Sequence, residues 1–320
     1  MYRWLLTAAP CLFAVACAQT PPPPSLSPTK EQAPAVTELP PVEDDLVDEA
    51  PAEVVTERVS LTRGRLVQAG LSFWVTEPGT RVTLDGDPVA VDSDGHFALG
   101  FGRDYEGRAD IVLTYPDGTV EERKPLIGER EFPVSRIDNL DPAKVNPYTE
   151  EQLSKIRADQ ELKRAARADR AATSYWRAGW DWPVRGRISG KMGAQRILNG
   201  DPKRPHSGTD IAAPVGTSPM DFQGTDIRAP STGKITLAES DMYFEGGLIF
   251  IDHGQGIESA MLHLSRVDVK PGQIVTKGEV IGAVGMTGRA TGPHLHWTVN
   301  YNGTPVDPEL LVPPMLGLQR

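Results

Sequence analysis

The sequence predicts a mainly β protein with a small N-terminal β-sandwich, a helical connector and a C-terminal antiparallel β domain. Two observations predict this class. Short runs of β-branched and aromatic residues alternate with Gly, Pro, Asn and Asp turns in both halves of the chain, and helix-start signals lie between the halves. In chain order, the predicted segments are 1–17, 18–58, 59–135, 146–176 and 180–314.

The first segment, 1–17, has the composition of a secretory signal peptide. One basic residue precedes a short apolar run that ends in small residues, and the run is too short to cross a bilayer as a helix. Its end, from Ala14 to Cys17, resembles a lipoprotein cleavage site, although that site usually begins with leucine. We therefore expect an exported protein whose only membrane contact is a lipid on Cys17. The alternative is a simple signal peptide cleaved after Ala16 or Ala18.

The second segment, 18–58, has the composition of a disordered linker. Four consecutive prolines lead into a tract with nine Asp or Glu and no Lys or Arg between Glu31 and Glu57. Such a tract cannot offset the entropy of folding, so we expect a solvated tether. The tract carries nine of the ten net negative charges, which leaves the rest near neutral, without a basic face, and argues against nucleic acid as a partner. Both cysteines precede this linker, so no disulfide is predicted in the folded domains.

The sandwich is predicted from five strand-like runs separated by Gly, Pro and Asp turns, namely 71–76, 81–84, 96–99, 109–115 and 119–123. The sequence Asp92-x-Asp94-Gly95 has some resemblance to a calcium loop. Because the later ligands of a helix-loop-helix calcium site are missing, we interpret it as a hairpin turn and His96 as an ordinary strand residue.

The connector helix is predicted by start signals in 146–152, where Pro147 stands near the first turn and Thr149 and Gln152 can form a capping box. The helix should continue to about Thr173. Its few large apolar residues and its charges of both signs predict a solvent-exposed connector rather than a core element.

The C-terminal domain combines strand-like runs with most of the histidines. The strand-like runs are 248–252, 258–262, 274–275, 280–284 and 295–301. His294 and His296 are two residues apart on the last run, so both imidazoles should face the same side. His206 and Asp210 lie four apart in a segment whose prolines and glycine argue against a helix. Imidazole and carboxylate are ligands that zinc accepts, and they leave a fourth position for water.

Three ordered motifs lie between 180 and 310. The first includes His206-x-x-x-Asp210, the second is Met-Leu-His-Leu-Ser around His263, and the third is His294-x-His296. Together they resemble the lysostaphin-type zinc endopeptidases, which cut peptidoglycan cross-bridges. The resemblance implies an antiparallel β metallopeptidase domain with one Zn²⁺ per chain.

In that resemblance the ligands would be His206, Asp210 and His296. His263 and His294 would be catalytic, accepting a proton from the attacking water or stabilising the negative charge of the tetrahedral intermediate. The resemblance does not divide these two duties between them. His253 is interpreted as structural.

The resemblance also implies the reaction. We expect hydrolysis of an amide in peptidoglycan peptides during wall remodelling or division, with the D-alanyl to diaminopimelate bond in a Gram-negative periplasm as the expected target. Peptidoglycan is the expected partner, together with cell-division or wall-synthesis regulators. The alternative is a non-catalytic relative that binds and activates other wall hydrolases, and the retained ligand set and histidine pair count against it.

Two segments leave alternatives open. Residues 218–226 form an insertion relative to the family, which would either shape one wall of the groove or be a tolerated surface loop. The connector would, in the family context, alternatively lie over the groove as a regulatory arm. A further alternative is a carrier or binding module, because residues 269–282 resemble a lipoyl or biotinyl hairpin. They lack an attachment lysine motif, which argues against that alternative.

Overall fold

The structure is a computed structural model that describes residues 57–137, 149–168 and 170–315. These residues all belong to one compact unit of the chain, 55–320. The predicted signal peptide, the lipid site at Cys17, nearly all of the linker and Pro147 lie outside the described residues. Among the residues described, no helix is both long enough and apolar enough to cross a membrane.

The fold is mainly β, as predicted, and each predicted strand run recurs with ends that differ by at most two residues. The N-terminal strands are β1 (Val59–Gly64), β2 (Leu71–Thr76), β3 (Arg81–Leu84), β4 (Asp87–Val89), β5 (His96–Gly100), β6 (Ile111–Thr114), β7 (Val120–Arg123) and β8 (Val134–Ile137). They form one sheet of order β1-β2-β5 and a second of order β4-β3-β6-β7, while β8 pairs elsewhere.

In the sheet β1-β2-β5, strands β2 and β5 are buried on both faces. Trp74 and Phe97 point into the core between the two N-terminal sheets, whereas Phe73 and Ala98, one residue along, belong to the core of the C-terminal part. Because successive strand residues alternate between faces, a nearly continuous apolar strand is what two buried faces require.

The N-terminal sheets pack tightly on the C-terminal part. The ring of Phe73 stacks on Trp176, with centroids 4.5 Å apart. The Tyr301 hydroxyl donates to the carbonyl of Ala98 at 2.8 Å, and Gln255 Nε2 donates to the carbonyl of His96 at 2.9 Å. These contacts join the two parts through one shared core.

The connector helix α1 spans Glu150–Ala166, and its predicted capping box between Thr149 and Gln152 is confirmed. The helix ends seven residues before the predicted Thr173. The prediction of a solvent-exposed connector is wrong for one face, because Ile156 and Asp159 are buried. A carboxylate can be buried there because it is hydrogen-bonded to the protein, which a composition-based reading does not anticipate.

The C-terminal part is built on an eight-stranded antiparallel sheet. Its strands are β9 (Arg187–Gly190), β12 (Thr209–Ala212), β14 (Gly233–Met242), β15 (Gly246–Gly254), β16 (Ile257–Leu264), β18 (Ile274–Val275), β20 (His294–Tyr301) and β21 (Thr304–Val306). The order is β18-β14-β15-β16-β20-β12-β9, with β21 beside β20.

Smaller elements complete this part. They are β10 (Gln195–Leu198), β11 (Asp201–Pro202), β13 (Asp226–Arg228), β17 (Arg266–Val267), β19 (Val280–Ala283), the one-turn helix α2 (Pro219–Phe222) and 3₁₀ turns at Tyr175–Ala178 and Pro308–Leu310. β8 adds a parallel strand to β10. Helix α2 lies in the insertion, and its Phe222 is buried in the main core, so the insertion is not purely a surface loop.

The two faces of the large sheet have different roles. One face carries Met261 and Trp297 into the main core. The other carries an apolar cluster on β14, β15 and β16, against which Ala166 of α1 and Leu262 pack. Leu262 lies opposite His296 in the β16–β20 ladder, and directly opposed residues point to the same face. Helix α1 and His296 therefore share one face of the sheet.

Candidate metal centre

The three predicted metal ligands converge on the sheet face against which helix α1 packs. Asp210 on β12 lies opposite His296 on β20, and His296 Nδ1 is 2.7 Å from Asp210 Oδ1. His206 comes from the loop before β12, and its Nε2 lies 3.0 Å from His296 Nδ1 and 3.2 Å from Asp210 Oδ1. The pairing of two adjacent strands thus places two ligands, and the loop supplies the third.

The loop around His206 is held by backbone hydrogen bonds. The His206 N–H donates to the carbonyl of Ala194 at 2.9 Å, and the Gly193 N–H donates to the carbonyl of His206 at 2.8 Å. The His206 ring Nδ1–H donates to the carbonyl of Lys191 at 3.0 Å. This bond fixes the tautomer and leaves the Nε2 lone pair directed at Asp210 and His296.

The three converging atoms fit a small divalent cation. Tetrahedral zinc with bonds of 2.0–2.1 Å has ligand atoms about 3.3 Å apart. The three atoms are 2.7, 3.0 and 3.2 Å apart here, so a small outward shift would admit the ion. Two imidazoles and one carboxylate also match the donor set of catalytic zinc sites, which keep one position open. The site is crowded on one side, because a Cβ added to Gly190 would lie 2.3 Å from Asp210 Oδ2.

The other two predicted site residues stand beside this cluster. His263 Nδ1–H donates to the carbonyl of Thr287 at 2.9 Å, and His294 Nδ1–H donates to the carbonyl of Gly292 at 2.8 Å. Each bond leaves a ring Nε2 whose lone pair can accept a proton. The two ring centroids are 4.8 Å apart, and His294 Nε2 is 3.9 Å from Asp210 Oδ1.

A β-bulge directs His263 toward the cluster. On β15, Gly247 pairs with Leu264 and Leu248 pairs with Leu262, so His263 is an extra residue without a partner in that ladder. Its φ is +66°, a left-handed conformation that non-glycine residues rarely adopt. Bulges near active sites commonly re-aim a side chain. Here the bulge lets Leu262 and His263 both leave the core side of the sheet.

The pKa shifts of the clustered side chains favour a charged carboxylate and neutral imidazoles, the forms that bind a metal ion. The pKa of Asp210 lies below its ordinary value, because hydrogen bonds and attraction from His206 and His296 outweigh the burial that would raise it. Burial, reinforced by nearby His294, lowers the pKa of His263 to about 4. Burial also lowers the pKa of His296, although Asp210 opposes that effect. Imidazoles with a low pKa keep their lone pairs available at neutral pH.

Comparison with known proteins decides the family. The sequence profile of peptidase family M23 matches residues 204–308, a range that includes all five clustered side chains. The crystal structure of a candidate M23 peptidase from Pseudomonas aeruginosa aligns with a TM-score of 0.56 and 30% identity, over 77% of this chain and 95% of that chain. The chain belongs to peptidase family M23.

Two curated proteins are similar to this M23 chain. Peptidoglycan DD-endopeptidase ShyA of Vibrio cholerae is 31% identical over 233 residues, which cover 69% of this chain and 52% of ShyA. DD-carboxypeptidase/endopeptidase Mpg of Neisseria meningitidis is 44% identical over 105 residues, which cover 33% of this chain and 22% of Mpg. The chain therefore spans about half the length, or less, of these curated relatives.

Several groups that support the M23 site were not found by sequence reasoning. Three are backbone carbonyls, and Gly190 acts by having no side chain. The carbonyls belong to Lys191, Thr287 and Gly292. A carbonyl leaves no side-chain signal, so only the folded chain identifies these partners.

His253 is structural, as predicted. Its Nδ1–H donates to the carbonyl of Thr232 at 2.7 Å, and its Nε2 lies 2.7 Å from Ser259 Oγ. The ring packs edge-on against Trp180, with centroids 4.7 Å apart. Both ring nitrogens are therefore used within the core, and burial lowers the His253 pKa to about 4.

A second group of possible ligands, Asp92, Asp94 and His96, lies in the N-terminal part. Asp92 Oδ1 accepts from the N–H of Asp94 at 3.0 Å and from the N–H of His96 at 2.8 Å, while Oδ2 accepts from the hydroxyl of Ser174. The carboxylate closes the turn before β5, in agreement with the predicted hairpin turn.

Proposed function

We propose that this chain is a zinc-dependent endopeptidase that hydrolyses peptide cross-links of bacterial peptidoglycan. The observation that carries the proposal is the convergence of His206 Nε2, Asp210 Oδ1 and His296 Nδ1 beside two further imidazoles with free Nε2 atoms. The names of the two curated relatives, a peptidoglycan DD-endopeptidase and a DD-carboxypeptidase/endopeptidase, support the substrate class.

The proposed division of labour follows from the donor atoms. His206, Asp210 and His296 would hold one zinc ion per chain. When bound, zinc acts as a Lewis acid toward a carbonyl and lowers the pKa of water. His263 and His294 each have Nδ1–H tied to a backbone carbonyl, so each presents Nε2 to the substrate side. One would accept the proton of the attacking water at Nε2. The other, when protonated at both ring nitrogens, would donate a hydrogen bond from Nε2–H to the oxygen that becomes negative.

The proposal also specifies which bond is cut and where in the cell envelope. The bond would be that between D-alanine and diaminopimelate, cut on the periplasmic side of the cell envelope. Export would use residues 1–17, and lipid on Cys17 with the acidic linker would tether the enzyme within reach of the wall. Cell-division or wall-synthesis regulators are the proposed protein partners.

Zinc content and cleavage test the proposal together. The parent chain should bind one equivalent of zinc and release uncross-linked stems from purified peptidoglycan. His296→Ala should lose the metal. His294→Ala should keep the metal but cleave about 100-fold more slowly or worse, the usual scale for a lost general acid or base. Leu126→Ala, at an exposed position outside both groups of possible ligands, is the control. A parent that binds no zinc, or a His294→Ala variant that cleaves like the parent, would refute the proposal.

A further inference from the structure

The backbone of His263 depends on the turn between β14 and β15, residues 243–245. The His263 N–H donates to the carbonyl of Glu245 at 2.8 Å, so this turn occupies the place that a ladder partner would have. An L-residue at φ +66° needs such outside support, because the left-handed conformation is unfavourable by itself. The position of Glu245 therefore helps to decide where the His263 ring lies.

The same turn is joined to the segment that holds the His263 ring. The Arg289 N–H donates to the carbonyl of Phe244 at 2.9 Å. The Gly247 N–H donates to Thr287 Oγ1 at 2.9 Å, and the Thr287 carbonyl accepts from His263 Nδ1–H. Backbone and ring of His263 are thus both tied to one small network next to the 243–245 turn.

Three charged residues of helix α1 bind this turn and the end of β14 that precedes it. Lys155, Asp159 and Lys163 are spaced four apart, so they lie along one stripe of the helix. Asp159 Oδ2 accepts from the Tyr243 N–H at 2.6 Å, and Lys163 forms an ion pair with Glu245. Lys155 donates to Asp159 Oδ1 at 3.1 Å and to the carbonyl of Asp241.

The contacts of Asp159 and Lys163 with the turn are sheltered from solvent, unlike most ion pairs of the helix, whereas the Lys155 side chain is partly exposed. Asp159 is only 4% exposed, and the side chains of Lys163 and Glu245 are 17% and 15% exposed. By contrast, the pair of Arg164 and Glu161 on the same helix is largely exposed. Charge-assisted hydrogen bonds that are sheltered from solvent are stronger than exposed ion pairs. Asp159 and Lys163 therefore hold the turn in place.

We propose that α1 is a positioning element for the M23 site, in which Asp159 and Lys163 hold the 243–245 turn and thereby His263. The connector is then more than a spacer. Displacing α1 from the sheet loosens His263 while the three metal ligands on β12, β20 and the preceding loop keep their own supports. The catalytic consequence rests on the proposed function, but the mechanical coupling does not.

Hydrogen exchange at the backbone tests the coupling without any assay of activity. In the purified chain, Asp159→Ala should speed exchange of both the Tyr243 and the His263 amides by about tenfold or more, because their partners become mobile. Arg164→Ala is the matched control from the exposed side of the helix and should leave both amides unchanged. Accelerated exchange at Tyr243 with unchanged exchange at His263 would overturn the proposal.

Swapping the charges of Lys163 and Glu245 distinguishes loss of this ion pair from general unfolding of the variant. Lys163→Glu places a like charge against Glu245 and should also speed His263 exchange. Adding Glu245→Lys restores an opposite pair and should return exchange toward the parent rate, which a damaged fold would not do. Failure of the double variant to recover would remove the ion pair from the proposal.

The kinetic arm uses a soluble cross-linked muropeptide dimer. Asp159→Ala should keep its zinc and its KM but lose about 10- to 100-fold in kcat, the cost of a misplaced catalytic group. Loss of zinc, or a raised KM with unchanged kcat, would contradict a positioning role. If the parent itself does not cleave, the proposed function fails, and hydrogen exchange alone decides the coupling of α1 to His263.

Discussion

Gly190 lies opposite Asp210 in the β9–β12 ladder, and a Cβ atom on Gly190 would lie 2.3 Å from Asp210 Oδ2. The same Cβ would be 3.1 Å from His206 Cε1. The lack of a side chain at Gly190 therefore leaves room for two of the proposed ligands.

Substituting Gly190 should weaken metal binding without unfolding the chain. In Gly190→Ala the methyl group would displace the Asp210 carboxylate, so zinc affinity should fall by about 10- to 100-fold, as for other disturbed ligand supports. Competition with a chromophoric chelator measures this. Gly102→Ala is a suitable control, because its Cβ would make only an ordinary 3.4 Å contact with Thr304. Equal zinc affinity in the two variants would contradict the geometry.

Zinc should stabilise the folded chain. At a free zinc concentration about 1,000 times the Kd, the expected gain is about 4 kcal/mol, because the unfolded chain lacks the converging ligands. For a folded unit of this size, that gain corresponds to a rise of roughly 8–16 °C in Tm. Calorimetry of the chain with zinc and after chelator treatment measures the rise. His206→Ala should show little of this rise. An equal rise in His206→Ala would mean that zinc binds elsewhere.

The packing of Phe73 on Trp176 should contribute strongly to stability. Phe73 is 2% exposed and lies where the two parts of the protein share a core. Phe73→Ala should lower the free energy of unfolding by about 3–5 kcal/mol, the usual effect of removing a buried aromatic ring. Denaturant unfolding measures the change. Leu126→Ala, at a 62% exposed site, should change it by about 0.5 kcal/mol or less. Similar values for the two variants would argue against the shared core.

Tyr301 should make stability fall at alkaline pH. Burial raises the pKa of its phenol to about 12, and the hydroxyl donates to the carbonyl of Ala98. The unfolded phenol has a pKa of about 10, so the folded state holds its proton more tightly. The stabilisation is complete below about pH 10 and is lost as the pH rises toward about 12.

The measurement is a difference between two proteins. From about pH 10 to pH 12 the parent should lose up to about 3 kcal/mol more unfolding free energy than Tyr301→Phe, which has no proton to lose there. Other tyrosines with a raised pKa are common to both proteins and cancel. Parallel pH profiles for parent and variant would show that Tyr301 is not buried as the structure has it.

Local patterns in the chain specify the secondary structure and the donor chemistry of the site. Alternation along a strand placed His294 and His296 on one face, and the capping box of Thr149 and Gln152 predicted the start of α1 correctly. These features depend on residues a few positions apart, whose geometry is set by the local backbone. The proposed ligand set rested on motifs, which the folded chain brings together in space.

Features that depend on distant partners arise only when the chain is folded. The turn of His263 toward the cluster requires a bulge, which arises from the register between β15 and β16 rather than from any residue near His263 in sequence. The clearance at Gly190 and the burial of Asp159 under the 243–245 turn likewise exist only once separate segments pack together. Register, clearance and burial are properties of contacts between segments, so no local pattern in the chain could specify them.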